Sequence, residues 1–179
     1  ARPSSVRLSG ARLAVRRDVE GRLDLQFAGS SGAGPQTVGA VLDTVAALFA
    51  SPAFSALRTI EAEGLTLTLT DDRARRSWNL GDGRLVIENR PDEIAAELGL
   101  TLVGPAVPAQ ATLKLVTGKA DGAARFEARL ANMAAADLAA VAPPLAWLGA
   151  INAPISGALR AGISDAGAVS DLTAELALA

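Results

Sequence analysis

The sequence predicts a mainly β protein of the α+β class, and three observations support that prediction. Apolar and polar residues alternate with period two along most of the 179 residues, Gly and Pro clusters separate many of the alternating segments, and only one long segment has helical periodicity. We therefore expect a curved antiparallel meander sheet, open or groove-like, with one packed amphipathic helix and a short helical linker. Residues 1–179 are expected to form a single β-rich segment.

The predicted elements fall into five parts. Residues 1–30 are predicted to hold strands, two of them joined by a turn at 18–21. Residues 36–50 are predicted to form the helix, because Thr37 is a suitable N-cap and apolar residues recur at helical spacing until Pro52 ends the pattern. Residues 58–131 are assigned to the meander, 132–151 to two helical turns around Pro143 and Pro144, and 152–179 to further strands.

A change of phase at the start of the meander predicts a bulge at Gly64. Ile60 and Ala62 fall on even positions, whereas the leucines that follow fall on odd ones, at Leu65, Leu67 and Leu69. An uninterrupted strand would put one of these two sets on the wrong face, and a bulge at Gly64 restores a single apolar face. The same face is predicted to continue through Trp78, Leu80, Leu85, Ile87, Leu98, Leu100, Leu102, Leu113, Leu115, Phe126, Ala128 and Leu130.

Turn residues divide the meander into strands. We expect strands to be separated at Gly81-Asp82-Gly83, Arg90-Pro91-Asp92, Gly104-Pro105 and 118–122. Such spacing is typical of antiparallel strands joined by short connections.

The composition excludes most common catalytic centres. His, Cys and Tyr are all absent, which removes imidazole bases, thiol chemistry and cysteine or histidine metal sites. A net charge of −2 with interspersed signs, together with 3% aromatic residues, disfavours nucleic acid as a partner. We expect no enzyme activity, no catalytic residue, no cofactor and no metal.

Three polar groups each allow two interpretations. Glu61 and Glu63 are a strand pair at a spacing that carboxylate catalysis uses, or simply a solvated strand face. Three aspartates are calcium ligands or ordinary turn residues: Asp71, Asp72 and Asp82. Three arginines bind a lipid phosphate or form a hairpin loop: Arg73, Arg75 and Arg76.

Neither of the two most apolar segments is predicted to span a membrane. Residues 37–54 and 133–151 are each interrupted by proline, and each contains an aspartate. The chain begins at Ala1 without an initiator Met, and apolar alternation continues to its last residues. We therefore expect it to be part of a longer protein.

Two segments resemble proteins of the AsmA-like family. Residues 60–88 resemble a segment in which a "GL-L-L-D" strand turns through a basic loop into a strand bearing Trp78. Residues 138–178 resemble a "P-L-x-x-L … P-x-S-G" helical linker followed by strands with a turn at Asp165 to Gly167. The likeness covers most of the chain in layout and about half of it in specific motifs. The anchor helix and most of the length of the family's full pattern are missing from this sequence.

The resemblance implies a segment of a periplasmic protein of the AsmA, TamB and YhdP group, anchored to the inner membrane in its full-length form. It implies an apolar β-groove for phospholipid transfer and outer-membrane biogenesis. The expected partners are a phospholipid or other acyl lipid, neighbouring segments of the same chain, and envelope proteins. The lipid-facing residues would be Leu65, Leu67, Leu69, Leu85, Ile87, Leu98, Leu100, Leu102, Leu113 and Leu115.

Two alternatives to a lipid groove stay open on the residues alone. The apolar face is also what an ordinary core under the helix produces, because any half-buried sheet alternates in this way. The same sheet would also serve a non-catalytic structural or protein-interaction scaffold domain of the cell envelope.

Overall fold

The structure is a computed structural model that describes residues 4–20, 22–27, 36–37, 47, 49, 51–52, 56–103, 108–141, 143–163 and 169–178. These residues form one open, curved sheet of eleven strands, which confirms the prediction of a mainly β chain. The strands are β1 Ser5–Ser9, β2 Arg12–Arg17, β3 Leu23–Phe27, β4 Gln36–Thr37, β5 Thr59–Asp71, β6 Arg76–Asn89, β7 Glu93–Leu102, β8 Ala109–Gly118, β9 Ala124–Ala134, β10 Pro154–Ile163 and β11 Val169–Leu178. The helical elements with defined bounds are α1, Ala135–Val141, and a 3₁₀ helix, Pro143–Ala150.

The meander predicted at 58–131 corresponds to β5 to β9, and the further strands predicted at 152–179 are β10 and β11. Each of these strands pairs antiparallel with the next one along the chain, in the spatial order β5-β6-β7-β8-β9-β10-β11. The predicted turn at Arg90-Pro91-Asp92 is confirmed, with the amide of Arg90 donating to the carbonyl of Glu93 at 3.0 Å. The turn at 118–122 is also confirmed, whereas Gly104-Pro105 and the turn at Asp165 to Gly167 lie outside the described residues.

The first strands depart from a purely antiparallel sheet. The β2–β3 hairpin forms as predicted, but β1 and β2 do not pair with each other. Both instead lie along β5 in parallel, β1 beside its first half and β2 beside its second half, with Gly10 between them at φ 69°. The long connection between β3 and β5 makes this pairing available, since parallel strands need a crossover rather than a tight turn.

Two facing bulges keep the apolar face in phase. Gly64 has φ 62°, and the β5–β6 register shifts on both sides of the Leu65–Gly83 pair, which confirms the predicted bulge. The predicted turn at Gly81-Asp82-Gly83 is wrong, because β6 runs unbroken through these residues. Asp82 adopts φ 49° and supplies the extra residue in β6, so that Leu80 and Leu85 share a face despite their opposite parity.

The predicted helix at 36–50 falls mostly outside the described residues. Its first two positions are wrong, because Gln36 and Thr37 form β4 and pair with β3. Ala47 and Phe49 are helical, and Phe49 is 7% exposed.

The predicted linker at 132–151 is confirmed as two short helices, α1 and the 3₁₀ helix, while residues 132–134 belong to the end of β9. We call residues 135–150 the strap, since they connect β9 to β10 outside the sheet. Within the described ranges, no helix has the length and apolar character needed to cross a bilayer.

Candidate functional site

The meander places its apolar side chains on one face, which we call the inner face. Side chains of a strand alternate between the two faces, so every second residue of each strand lies on this one. The central row across β5 to β11 is Ala62, Leu85, Leu98, Leu113, Ala128, Leu159 and Ala174. The row nearer the start of β5 is Ile60, Ile87, Ala96, Leu115, Phe126 and Ala161, and the row nearer its end is Leu67, Leu80, Leu102 and Ala109.

The opposite face, which we call the outer face, carries the charges. One row across it reads Glu61, Val86, Glu97, Lys114, Glu127, Arg160 and Thr173. Ion pairs join neighbouring strands there, as between Lys114 and Glu97 at 3.0 Å and between Arg160 and Glu127 at 3.6 Å. These pairs are exposed, so each contributes at most about 1 kcal/mol. These charged side chains are solvated, so the outer face is the side of the sheet that meets water and the inner face is its apolar side.

The inner face is covered unevenly. Four of the ten predicted lipid-facing residues are 6–9% exposed, namely Leu65, Leu67, Leu100 and Leu102. The other six are half-buried: Leu69, Leu85, Ile87, Leu98, Leu113 and Leu115. All ten lie on the predicted face. Lipid contact stays a prediction for each, and the half-buried six are the ones that a ligand reaches without rearrangement.

The buried part of the inner face forms a cluster that we call the sheet cluster. It consists of Leu67, Leu80, Leu100, Leu102 and Ala109. Trp78 and Met133 are among the partly buried side chains packed against it. This cluster therefore lies at one end of the four strands, toward the ends of β5 and β7 and the starts of β6 and β8.

The strap has its own hydrophobic cluster, which we call the strap cluster. It consists of Ala135, Leu138, Leu148 and Ile155, with Leu130, Met133, Ala139, Ile151 and Leu176 packed around it. These residues come from the strap, from β9, β10 and β11, and, for Ile151, from the short connection between the strap and β10. Met133 is the one residue found in both clusters among the described residues. The strap is thus anchored by apolar contacts to the β9–β11 side of the sheet.

Asp137 of α1 joins the strap to β6. Its Oδ1 atom accepts hydrogen bonds from Arg76 Nη1 at 2.7 Å and from Trp78 Nε1 at 3.2 Å. Arg76 Nη1 also donates to the carbonyl of Ala136 at 3.3 Å. We call these three hydrogen bonds the latch. The sequence reasoning missed them, although a lone carboxylate inside an apolar segment is itself a signal, because such a group needs a partner when it is partly buried.

The β5–β6 hairpin ends in a charged turn built around Asp71. This carboxylate is 3% exposed, and its Oδ1 atom accepts the amides of Arg73 at 2.8 Å and Ala74 at 3.0 Å. Its Oδ2 atom pairs with Arg17 Nη1 at 3.2 Å. The neighbouring Asp72 pairs with Arg16, and this hydrogen bond raises the pKa of the Arg16 guanidinium. The turn is therefore held by β2 as well as by its own backbone.

The three arginines predicted to meet a lipid phosphate have different surroundings. Arg76 is engaged by the latch, so head-group binding would compete with Asp137 for it. Arg73 and Arg75 are exposed at the hairpin tip and form no ion pair with any residue in the described ranges. Two of the three are consequently available to an anion.

No protein-family model matches this chain, and no match was found among curated proteins or solved structures.

The two sets of carboxylates considered for catalysis and for calcium binding lie in positions that favour neither function. Glu61 is paired with Arg7 at 2.9 Å on the outer face, and Glu63 is exposed on the same face. Asp71 and Asp72 are hydrogen bonded in the hairpin turn, whereas Asp82 lies in the β6 bulge. Within the described part of the chain, no three carboxylates are placed to hold a metal ion together.

A shallow depression of about 400 Å³ lies at the opposite end of the strands from the strap. Charged side chains of both signs line it, including Arg90, Asp92, Glu93, Asp121 and Arg125. Arg90 pairs there with Glu88 and Glu93, and these hydrogen bonds raise the pKa of its guanidinium. The charges of the depression thus largely satisfy one another, and the inner face remains the best candidate site.

Proposed function

We propose that this chain is a segment of a periplasmic AsmA-like envelope protein, anchored to the inner membrane in its full-length form. Its inner face holds the acyl chain of a phospholipid or other acyl lipid, as part of a groove that serves lipid transfer and outer-membrane biogenesis. The observation that carries this proposal is the continuity of the central apolar row across seven strands, with most of the charged side chains of these strands on the other face. The resemblance of residues 60–88 and 138–178 to AsmA-like proteins supplies the cellular context.

The energetics of an acyl chain favour such a surface. Keeping one methylene out of water is worth about 0.8 kcal/mol, so a chain of roughly 16 carbons requires on the order of 12 kcal/mol of apolar contact. Strands lie about 4.8 Å apart, so the half-buried rows between β6 and β10 extend about 19 Å, which is comparable to an extended acyl chain. Leu, Ile, Ala and Phe side chains provide contact there without unpaired polar atoms.

Two finer features complete the proposal. A helix that includes Ala47 and Phe49 packs against the apolar side of the sheet and forms one boundary of the groove, in keeping with the burial of Phe49. Arg73 and Arg75 provide a secondary contact for the lipid phosphate, since guanidinium groups bind phosphate bidentately. The chain acts without catalysis, as a surface that holds and passes its ligand.

A scaffold role is the second candidate, and the exposed edge strand β11 favours it. Among the described strands β11 pairs only with β10, and its Leu172 and Leu178 are 70% and 64% exposed. An edge strand with free backbone groups is a template for pairing with another strand. Neighbouring segments of the same chain or an envelope protein would add to the sheet there.

Native mass spectrometry of gently purified protein, combined with uptake of labelled phospholipid, tests the lipid proposal. We expect bound phospholipid in the spectrum and saturable uptake. Consistent absence of both results would reject the proposal. Light scattering and crosslinking test the scaffold alternative, which predicts lipid-free protein that associates through β11.

A further inference from the structure

One end of the sheet carries most of the exposed apolar side chains. Strands β2, β5, β7, β9 and β11 end there, and β6, β8 and β10 begin there, because the meander strands are antiparallel and β2 runs parallel to β5. We call it the strap end, since the strap connects β9 to β10 there. Six large apolar side chains are more than half exposed among the described residues, and four of them lie at the strap end: Val19, Val103, Trp147 and Leu178. The other two, Leu8 and Leu172, lie within strands β1 and β11.

The opposite end of the sheet is charged, and its charges are paired. Arg90 pairs there with Glu88 and Glu93, and Lys119 Nζ donates to Asn89 Oδ1 at 2.6 Å. No large apolar side chain of the described residues is exposed in the turns at that end. Apolar exposure is therefore a property of the strap end and is not shared by all the turns of this sheet.

The strap gives this end an uncharged surface with an exposed tryptophan. Residues 138–159 contain no charged side chain. Within them Trp147 is 61% exposed on the 3₁₀ helix, whereas its neighbour Leu148 is 1% exposed and belongs to the strap cluster. The other tryptophan of the chain, Trp78, is partly buried and donates a hydrogen bond to Asp137. Leu148 thus anchors the 3₁₀ helix to the protein, and Trp147 faces solvent.

Positive charge accompanies this apolar surface. Arg76, which is bound to Asp137 of the strap, directly follows the tip of the β5–β6 hairpin, so the tip and the strap are neighbours. The described carboxylates in the turns and the strap at this end each pair with an arginine: Asp18 and Glu20 with Arg22, Asp71 with Arg17, Asp72 with Arg16, and Asp137 with Arg76. Arg73 and Arg75 are exposed at the tip and belong to none of these pairs. Their charge is therefore free to attract an anionic surface.

We propose that the strap end docks on the surface of a lipid bilayer that contains anionic head groups. Trp147 enters the boundary between head groups and acyl chains, where an indole ring is favoured because it is both apolar and a hydrogen-bond donor. Arg73 and Arg75 lie against the lipid phosphates. This inference goes beyond the proposed function, because it concerns a bilayer and does not require the inner face to hold a lipid.

A bilayer fits the strap end better than a protein partner does. The four exposed apolar residues come from separate connections between β2 and β11, which are about 34 Å apart along the sheet at a strand spacing of about 4.8 Å. Protein interfaces concentrate their binding energy in a central, well-packed cluster. Apolar side chains spread along a line, with unpaired arginines beside them, instead match a continuous surface that is apolar below and anionic above.

Labelling of single cysteines locates the contact. The chain has no cysteine, so Ala146→Cys puts an environment-sensitive fluorophore beside Trp147, and Ala123→Cys puts the same fluorophore on an exposed position at the opposite end. With vesicles of phosphatidylglycerol and phosphatidylcholine in equal parts, we expect emission at position 146 to rise at least about threefold and emission at position 123 to stay unchanged. Co-sedimentation of the protein with the vesicles shows that the fluorophore reports on a bilayer and not on one extracted lipid. Unchanged emission at position 146, or an equal rise at both positions, would overturn the proposal.

Substitution of the exposed tryptophan gives a second measurement. Trp147→Ala should weaken vesicle binding about tenfold, whereas Leu172→Ala removes a similarly exposed apolar side chain away from the strap end and should leave binding unchanged. Equal losses in the two variants would contradict docking through the strap end. A rise in emission at position 146 with protein concentration, without vesicles, would show that a second copy of the chain covers this end, and it would also overturn the proposal.

Uptake of single lipids separates this inference from the proposed function. Labelled phospholipid delivered from cyclodextrin reaches the inner face without any bilayer. Uptake of this lipid without vesicle docking would retain the lipid groove and reject the docking surface. Vesicle docking without uptake would retain the docking surface and reject the groove.

Discussion

Gly83 of β6 lies directly opposite Leu65 of β5, so close that a Cβ atom on Gly83 would stand 2.5 Å from Leu65 Cβ and 2.8 Å from its carbonyl oxygen. Both residues sit between the bulges at Gly64 and Asp82. The backbones of the two strands approach each other here because each strand inserts its extra residue at the same level. A glycine at position 83 is what permits the two bulges to face one another.

Gly83→Ala should therefore destabilise the protein by about 1–3 kcal/mol, because the neighbouring atoms include backbone that cannot move aside. The control is Gly99→Ala on β7, where a Cβ would meet nothing within 4 Å and where we expect a change below about 1 kcal/mol. Urea denaturation of both variants measures the difference. Equal midpoints would show that the β5–β6 pairing at Gly83 has room for a methyl group.

The sheet was largely predictable from sequence because strand alternation is a local signal. The phase change around Gly64 was recognised for the same reason, since both sets of apolar residues lie within ten positions. Trp78 and Leu80 change parity against Leu85 and Ile87 in the same way, but no bulge is predicted there from the sequence. The glycines at 81 and 83, however, are also typical of turns, and this favoured the wrong interpretation of a strand boundary.

Other features depend on long-range interactions that no local pattern encodes. Parallel and antiparallel neighbours show the same alternation, so the parallel pairing of β2 with β5 was not apparent from the residues. The latch joins Arg76 to Asp137, which lies 61 positions further along the chain, and no local motif at either residue predicts this pairing. The division of the inner face into buried and half-buried residues depends in turn on tertiary packing, as where Met133 of β9 packs against Leu67 of β5 and its cluster.

Asp71 provides a second prediction, on the charged hairpin turn. Asp71→Asn should cost about 1–3 kcal/mol, because the buried carboxylate accepts two amides and pairs with Arg17. Asp71→Ala should cost about 3–5 kcal/mol, since all of these interactions are removed. The adjacent Asp72→Asn breaks an exposed pair and should cost less than about 1 kcal/mol. Thermal or urea unfolding checks the order, and a similar destabilisation by Asp72→Asn would contradict it.

The β2–β3 hairpin should loosen in acid. The Arg22 hydrogen bond lowers the pKa of Asp18 from 3.8 to about 2 in the folded protein. A lowered pKa means that the stabilisation is present above the ordinary value and is lost as the pH falls from about 4 toward 2. Amide exchange of β2 and β3 should therefore accelerate over that interval, after correction for intrinsic rates. Asp18→Asn should abolish the acceleration, and an identical profile in this variant would assign the pH effect to another group.

The half-buried part of the inner face gives a test of lipid contact on one strand. Leu115→Ser removes an apolar side chain from the inner face, and Val116→Ser removes a half-buried apolar side chain from the outer face of the same strand. Because the first change removes about 1 kcal/mol of apolar contact with the acyl chain, that variant should bind labelled phospholipid about fivefold more weakly. The Val116→Ser variant should bind labelled phospholipid as tightly as the unaltered protein. Equally weakened binding in both variants would indicate a general effect on the fold instead of a lipid surface.

The exposed arginines at the hairpin tip give the last prediction. A basic side chain near an anionic lipid surface is worth about 1 kcal/mol, so Arg73→Gln with Arg75→Gln should weaken binding to phosphatidylglycerol vesicles by an order of magnitude or more. Binding of a neutral detergent should not change, because its tail meets only the inner face. Arg84→Gln is the matched control, since Arg84 is also exposed but lies on the outer face within the sheet. Co-sedimentation with the vesicles at low and at moderate salt measures the binding of the double variant and of Arg84→Gln. Screening by salt should diminish the difference in binding between these two variants. If the double variant and Arg84→Gln bind the vesicles equally well, the hairpin tip takes no part in head-group recognition.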